Sequence, residues 1–397
     1  MTSADGEAFF EGPLGSEEEA VREQRVTDHL IVSRREGVMT RKRISERMVL
    51  TGTFVFGMAL AMPLIPMSGE RTIAGESAGG SYILPTHQGL EDPNAFVPAD
   101  NPLTKEKVEL GRILFFDKRL SKNNTIACAN CHMAKKGFAD GMPVSTGING
   151  LKGGRSAPVS FNRVYSKAQF WDGRAATLED QSIGPFVNPV EHGFASHDEM
   201  VAKMKKIPGY RKLFQEVFGR EIMIEDVGRA IASFQRTVLS GNSAVDKFDV
   251  GGDENALSDS AKRGLELFRG KARCTRCHSG FNFSDEKFHN IGIGWDTNTV
   301  DLGRYMETNN AEDIGAFKTP TLREIARTAP YMHDGRFKTL EEVVNFYNQG
   351  GVKNPHLDNT IIPLELTEEE KQDLVAMLKS LNGEGWQHVS APKSFPK

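Results

Sequence analysis

Apolar residues recur at helical spacing through the second half of the chain. Val227, Ile231, Phe234 and Val238 step by four, three and four, which puts them on one helix face. Leu374, Met377, Leu378 and Leu381 do the same, and Thr367-Glu368-Glu369-Glu370 ahead of them is a capping box. A second capping box, Thr339-Leu340-Glu341-Glu342, opens a helix with Leu340, Val343, Val344 and Tyr347 on one face, and Gly350-Gly351 stops it. Long alternating stretches of the kind that make strands are absent. The predicted class is mainly α, with Gly-rich loops between helices.

Two of the helical segments share a fragment. Glu109-Leu110-Gly111-Arg112-Ile113-Leu114-Phe115 and Arg263-Gly264-Leu265-Glu266-Leu267-Phe268 each precede a C-x-x-C-H motif. The motifs are Cys128-Ala129-Asn130-Cys131-His132 and Cys274-Thr275-Arg276-Cys277-His278, and they use all four cysteines. C-x-x-C-H is the c-type haem attachment signature: two thiols bind the haem vinyl groups and the following imidazole ligates iron. A zinc site would need further Cys or His at tight spacing, and a redox dithiol has no use for the trailing His. The two motif histidines lie 146 residues apart, about one domain. Gly-rich loops suit a fold wrapped around two large flat cofactors.

A formal charge of -4 with mixed signs argues against a nucleic-acid partner. Covalent haem attachment belongs to the bacterial periplasm or an equivalent compartment, so an export signal is expected. Thr40-Arg41-Lys42-Arg43, the apolar run Met48 to Ala61 and the small-x-small exit Ala59-Leu60-Ala61 supply one. Residues 1–67 read as a tail plus signal peptide, which would act as a membrane anchor only if left uncleaved. Residues 68–89 read as a linker, 90–245 as a first haem domain and 246–390 as a second.

From about residue 90 onward the chain resembles the bacterial di-haem cytochrome c peroxidase family, and its MauG-type branch in particular. The resemblance rests on both haem motifs, on the segments 110–117, 317–323 and 328–335, and on Gln169-Phe170-Trp171-Asp172-Gly173-Arg174-Ala175. It implies a peroxidatic haem on Cys128, Cys131 and His132. Many members carry a displaceable second His on the loop after that motif. The matching position here is Ile148, and no His lies between His132 and His192. Isoleucine cannot ligate iron, so this haem is expected to be open when ferric; Met133 and Met142 are the substitute ligands to weigh against that.

The resemblance further implies Glu191 as the distal acid-base group, with His192 as a weaker competitor, and Gln181 as a pocket amide. It puts Trp171 between the two haems, while Trp295 and Trp386 match no role. The second haem, on Cys274, Cys277 and His278, takes a Met as sixth ligand in ordinary members. Tyr347 stands there in this chain, as in MauG-type members, with Met332 and Met306 as rivals. A hard phenolate ligand favours higher oxidation states than a thioether does. A Ca2+ held by the carbonyls of Thr328 and Pro330 is also implied, with Ser156 in place of the usual Asn, a weaker ligand.

The expected protein is a periplasmic peroxidase with two covalently bound c-type haems. It would reduce H2O2 with electrons relayed through the second haem from a small cytochrome c or cupredoxin. The alternative is MauG-like bis-Fe(IV) chemistry that oxidises residues of a protein substrate. A non-catalytic di-haem electron carrier is the rival from another class.

Overall fold

Helices carry the computed structural model, which describes residues 80–297 and 300–397. α1 (Lys105–Phe116) is capped by Thr104, whose hydroxyl accepts from the Lys107 amide at 3.2 Å. α2 (Cys128–Cys131) is a single turn. α3 (Leu178–Val187), α4 (His197–Lys205), α5 (Pro208–Phe218) and α6 (Ile224–Arg236) follow. Beyond them come α7 (Ala244–Asp249), α8 (Asp259–Arg269), α9 (Tyr305–Thr308), α10 (Leu340–Asn348) and α11 (Glu368–Lys379). Among the described residues the only sheet is a two-residue antiparallel pair: β1 (Phe288–His289) lies against β2 (Phe317–Lys318), with Phe288 opposite Lys318. The class is mainly α, as the periodicity predicts.

The patterned faces are the buried ones. Val227, Ile231, Phe234 and Val238 are at most 2% exposed. Both capping boxes form: Thr339 and Thr367 accept from the amides of Glu342 and Glu370, whose carboxylates bond back. Each burial of a Leu or Phe of this kind contributes about 1.5–3 kcal/mol.

The repeated fragments have one structural job. α1 crosses α6, and α8 crosses α11. At the first crossing a Cβ on Gly111 would stand 1.8 Å from the Ala230 carbonyl oxygen; at the second, a Cβ on Gly264 would stand 2.0 Å from that of Asp373. Both glycines therefore let two helix backbones touch. Gly264→Ala is expected to destabilise the protein by about 1–3 kcal/mol or more through overpacking. A thermal melt checks it: an unchanged midpoint would mean the crossing is looser than described.

The buried apolar residues fall into two large clusters and a small one. One spans Leu110 to Val238 and includes Trp386 and Val389 from the C-terminal tail. The second spans Val245 to Leu381. The tail is fastened to the first cluster by bonds from Arg112 to the Ser390 carbonyl (2.7 Å) and from Arg119 to that of Pro396 (2.8 Å). Trp386 stacks edge-on against Phe138 and Phe161 and donates to Glu324 at 3.1 Å, so it is a core residue.

The stretch read as a linker, 68–89, is corrected over its described part. Leu84 is 1% exposed and packs with Leu103, Val164, Tyr165 and Leu239, while Tyr82 donates to the Leu103 carbonyl at 3.0 Å. A single buried Leu between an exposed Ile83 and Pro85 gives no periodic signal. The expected export segment lies outside the described residues. Among the described residues no helix is long and apolar enough to cross a membrane.

Candidate active site

Each C-x-x-C-H forms one tight turn. Cys128 and Cys131, three apart, share a face of α2, and the Cys128 carbonyl accepts from the His132 amide at 2.9 Å. Asn130, a variable position of the motif, accepts from the Ala127 amide at 3.0 Å and closes the turn. Cys274–Arg276 makes the corresponding 3-10 turn, entered through Arg273 in the left-handed region at φ 56°. His278 donates its amide to Cys274 at 2.8 Å.

Both motif imidazoles are oriented by a carbonyl that sequence reading missed. His132 Nδ1 donates to Phe138 O at 3.2 Å and His278 Nδ1 to Phe283 O at 3.0 Å. Both Phe residues have positive φ, at 54° and 50°, which turns the backbone back toward the motif. Committing Nδ1 fixes the tautomer and leaves the Nε2 lone pair available to a metal. Burial lowers the pKa of both histidines, so they stay neutral, the form that ligates.

The rival readings of the motifs fare worse. Burial pushes the Cys128 and Cys274 thiols up to about 12 and Cys131 up to about 11, the opposite of a redox thiolate. Among the described residues the only convergent set of metal-ligand side chains is Cys277, Asp285 and His289, which contains neither motif histidine. A zinc site would need the motif ligands to converge.

Glu191 lies near the first motif. Its charge adds to the elevation of both Cys128 and Cys131. Asn188 Nδ2 donates to its carboxylate at 2.7 Å. Burial raises the Glu191 pKa, against the opposing effects of Arg174 and Asn188. His192 points elsewhere: its Nδ1 donates to Leu120 O at 2.7 Å and its ring packs edge-on to Phe186. Ile148, 3% exposed, is tied to the same strip, its amide donating to Val190 O at 2.9 Å and to Glu191 O at 3.2 Å. A Cβ on Gly193 would meet the Ile148 side chain at 3.0 Å. Gln181, on α3, accepts from Gln235 of α6 at 3.2 Å, which turns its amide nitrogen away from Gln235. Met142 is 43% exposed.

The Trp171 signature is a pinned loop. Gln169 bridges Ala175, and Asp172 binds both Arg155 (2.5 Å) and Arg174 (2.9 Å). The Trp171 indole donates to Ser156 O at 2.9 Å and its carbonyl accepts from Lys318 at 2.7 Å. Trp171 lines a cavity of about 240 Å³ together with Cys274, Cys277, His278, Met332 and Tyr347. Tyr347 shares its wall with Val343 and Val344 of α10, and burial raises its pKa well above the usual phenol range. No hydrogen-bond partner meets its hydroxyl among the described residues. Met306 is 59% exposed and not part of the wall. Thr328, Pro330 and Ser156 line the same cavity, which has no carboxylate in its wall. An apolar slot with a neutral imidazole, two thiols and an unpartnered phenol fits a haem.

The comparisons agree with this chemistry. Residues 105–255 match the family model described as di-haem cytochrome c peroxidase. The chain is 42% identical over 289 residues to the methylamine utilization protein MauG of Methylorubrum extorquens, covering 72% of this chain and 81% of that one. It is 38% identical over 321 residues to cytochrome-c peroxidase IdrP1 of a Pseudomonas species, covering 73% and 84%. A crystal structure of a MauG-like protein associated with microbial copper homeostasis superposes with a TM-score of 0.67 at 34% identity, over 75% of this chain and 95% of that one.

The chain thus belongs to the di-haem cytochrome c peroxidase family. It is an enzyme, a di-haem oxidoreductase that reduces H2O2.

Proposed function

We propose that two haems are attached covalently, at Cys128 and Cys131 and at Cys274 and Cys277, in units spanning 90–245 and 246–390. His132 and His278 would ligate the irons, with Tyr347 as the second ligand at the C-terminal haem. When bound, the haems supply the redox-active iron for peroxide reduction. Glu191 takes the proton from the near oxygen of H2O2 and returns it to the departing one, and Gln181 orients the peroxide or water. Trp171 is the oxidisable group between the two sites. A Ca2+ at the Thr328 and Pro330 carbonyls would be held weakly, since no carboxylate lines that wall. The apolar run 48–61 would direct export to the periplasm, where a small cytochrome c or cupredoxin is the electron donor.

The observation that carries this reading is Ile148, buried and bonded to the Glu191 backbone. A non-ligating side chain there keeps the peroxide side open. Mixing the as-isolated ferric protein with one equivalent of H2O2 in a stopped-flow instrument, without reductant, is expected to shift the Soret band at once. A band that stays put until one electron is added would mean another residue closes the iron. A wholly low-spin ferric spectrum would favour a carrier.

Tyr347 favours a second reading. Its side chain lines the cavity that holds His278, and no hydrogen bond commits its hydroxyl elsewhere among the described residues, which suits a MauG-like enzyme acting on a protein substrate. Haem chemistry of that type and peroxide removal can share one site.

A further inference from the structure

Arg163 is a half-buried cation with no carboxylate in contact among the described residues; Glu286 acts on it only from a distance. It sits on a 3-10 turn (Arg163–Tyr165) entered through Asn162. Asn162 is fully buried and clamped, its amide donating to Val238 O at 2.9 Å and its side chain to Ser240 O at 3.0 Å. The guanidinium bonds only to neutral oxygens: Nε to Gln169 Oε1 at 3.0 Å, and Nη2 to the same atom and to Ala168 O. No carboxylate lies within 4.0 Å of it among the described residues, and Nη1 has no partner there. An arginine does not shed its charge, so burial without an anion is costly.

Nearby anions are committed elsewhere. Glu286 pairs with Lys318 at 3.0 Å and accepts from Ser166 and Lys167. Asp285 and Asp358 flank His289 at 2.9 and 2.5 Å. Arg163 and Lys318 both line the cavity that holds His278 and Tyr347, whose wall contains no Asp or Glu.

We infer that Arg163 is the carboxylate anchor of the C-terminal haem, pairing through Nη1 with a propionate, and that its charge acts on the potential of that haem. The inference rests on the two-haem reading above. A cation beside that iron site disfavours the more positive, oxidised state, so it holds the potential up. Removing it frees a propionate charge as well, and both effects lower the C-terminal potential.

The test is a potentiometric titration of Arg163→Gln and Arg163→Lys, with haem counted by intact mass. In Arg163→Gln the C-terminal haem is expected to show at least a tenfold lower ferrous-to-ferric ratio at fixed ambient potential. That is a fall of about 59 mV for one electron. Arg163→Lys should recover most of the loss. Two attached haems with unchanged potentials in Arg163→Gln would overturn the assignment. So would a fall of equal size in Arg163→Lys, since a lysine keeps the charge. If Arg163→Gln fails to fold, Arg163→Leu, uncharged and apolar, takes its place with the same two outcomes. A mass lacking haem at Cys274 and Cys277 in the wild-type protein would instead sink the two-haem reading itself.

Discussion

Glu191→Gln is expected to lower kcat/KM for H2O2 by about 10²–10⁴, the usual worth of a positioned acid-base group, with both haems still attached. The amide keeps the shape and the Asn188 contact but cannot accept a proton from peroxide. The pH dependence gives an independent reading. Burial raises the Glu191 pKa above the usual carboxylate range. The active form in the free enzyme is the carboxylate, so kcat/KM should fall as pH drops through that raised value, and the acid limb should lie higher than for an exposed Glu. Arg174 opposes the rise, so Arg174→Gln should move the limb to still higher pH. Steady-state peroxide kinetics across pH decide it. A Glu191→Gln enzyme with wild-type kcat/KM would remove Glu191 from the chemistry. His192 would be a poor replacement, because its ring is committed to Leu120 and Phe186.

Tyr347→Met should raise the midpoint potential of the C-terminal haem by an amount on the order of hundreds of mV, inside the roughly 0.8 V range that axial ligands set. A thioether stabilises the reduced metal, and a phenolate the oxidised one. The Tyr347 phenol, free in its buried wall, holds its proton well beyond the usual range. A phenolate there therefore needs a positive centre within bonding reach, as metal coordination provides. Tyr347→Phe should leave the iron with an open position and a high-spin ferric signal. Spectroelectrochemistry with electron paramagnetic resonance checks both variants. An unchanged ferric spectrum in Tyr347→Phe would pass the ligand role to Met332, the other candidate in the cavity wall. The outcome also bears on the choice between ordinary peroxide removal and MauG-like chemistry, because a high-potential second haem is a store of electrons and a low-potential one is not.

Local pattern is enough to specify the helical class, the helix starts at Thr339 and Thr367, the two cysteine-histidine turns, and the repeated fragment that precedes them. These are local properties. A 3.6-residue period, a Thr followed by Glu three residues on, or C-x-x-C-H is written within a dozen residues, and its physical cause acts over the same distance. Only the tertiary structure decided why the repeat carries glycine, since Gly111 and Gly264 matter for backbones more than a hundred residues away. It alone turned Glu191 toward the first motif and His192 into the core, though the two are chain neighbours. Gln235, 54 residues from Gln181, and the Phe138 and Phe283 carbonyls had no sequence signal. Arg163 is the sharpest case: in sequence it is one more surface-type cation, and its place in a cavity wall with no carboxylate in contact exists only once distant segments close around it. Charge environment is set by what folding brings within a few ångströms, and local pattern does not encode that.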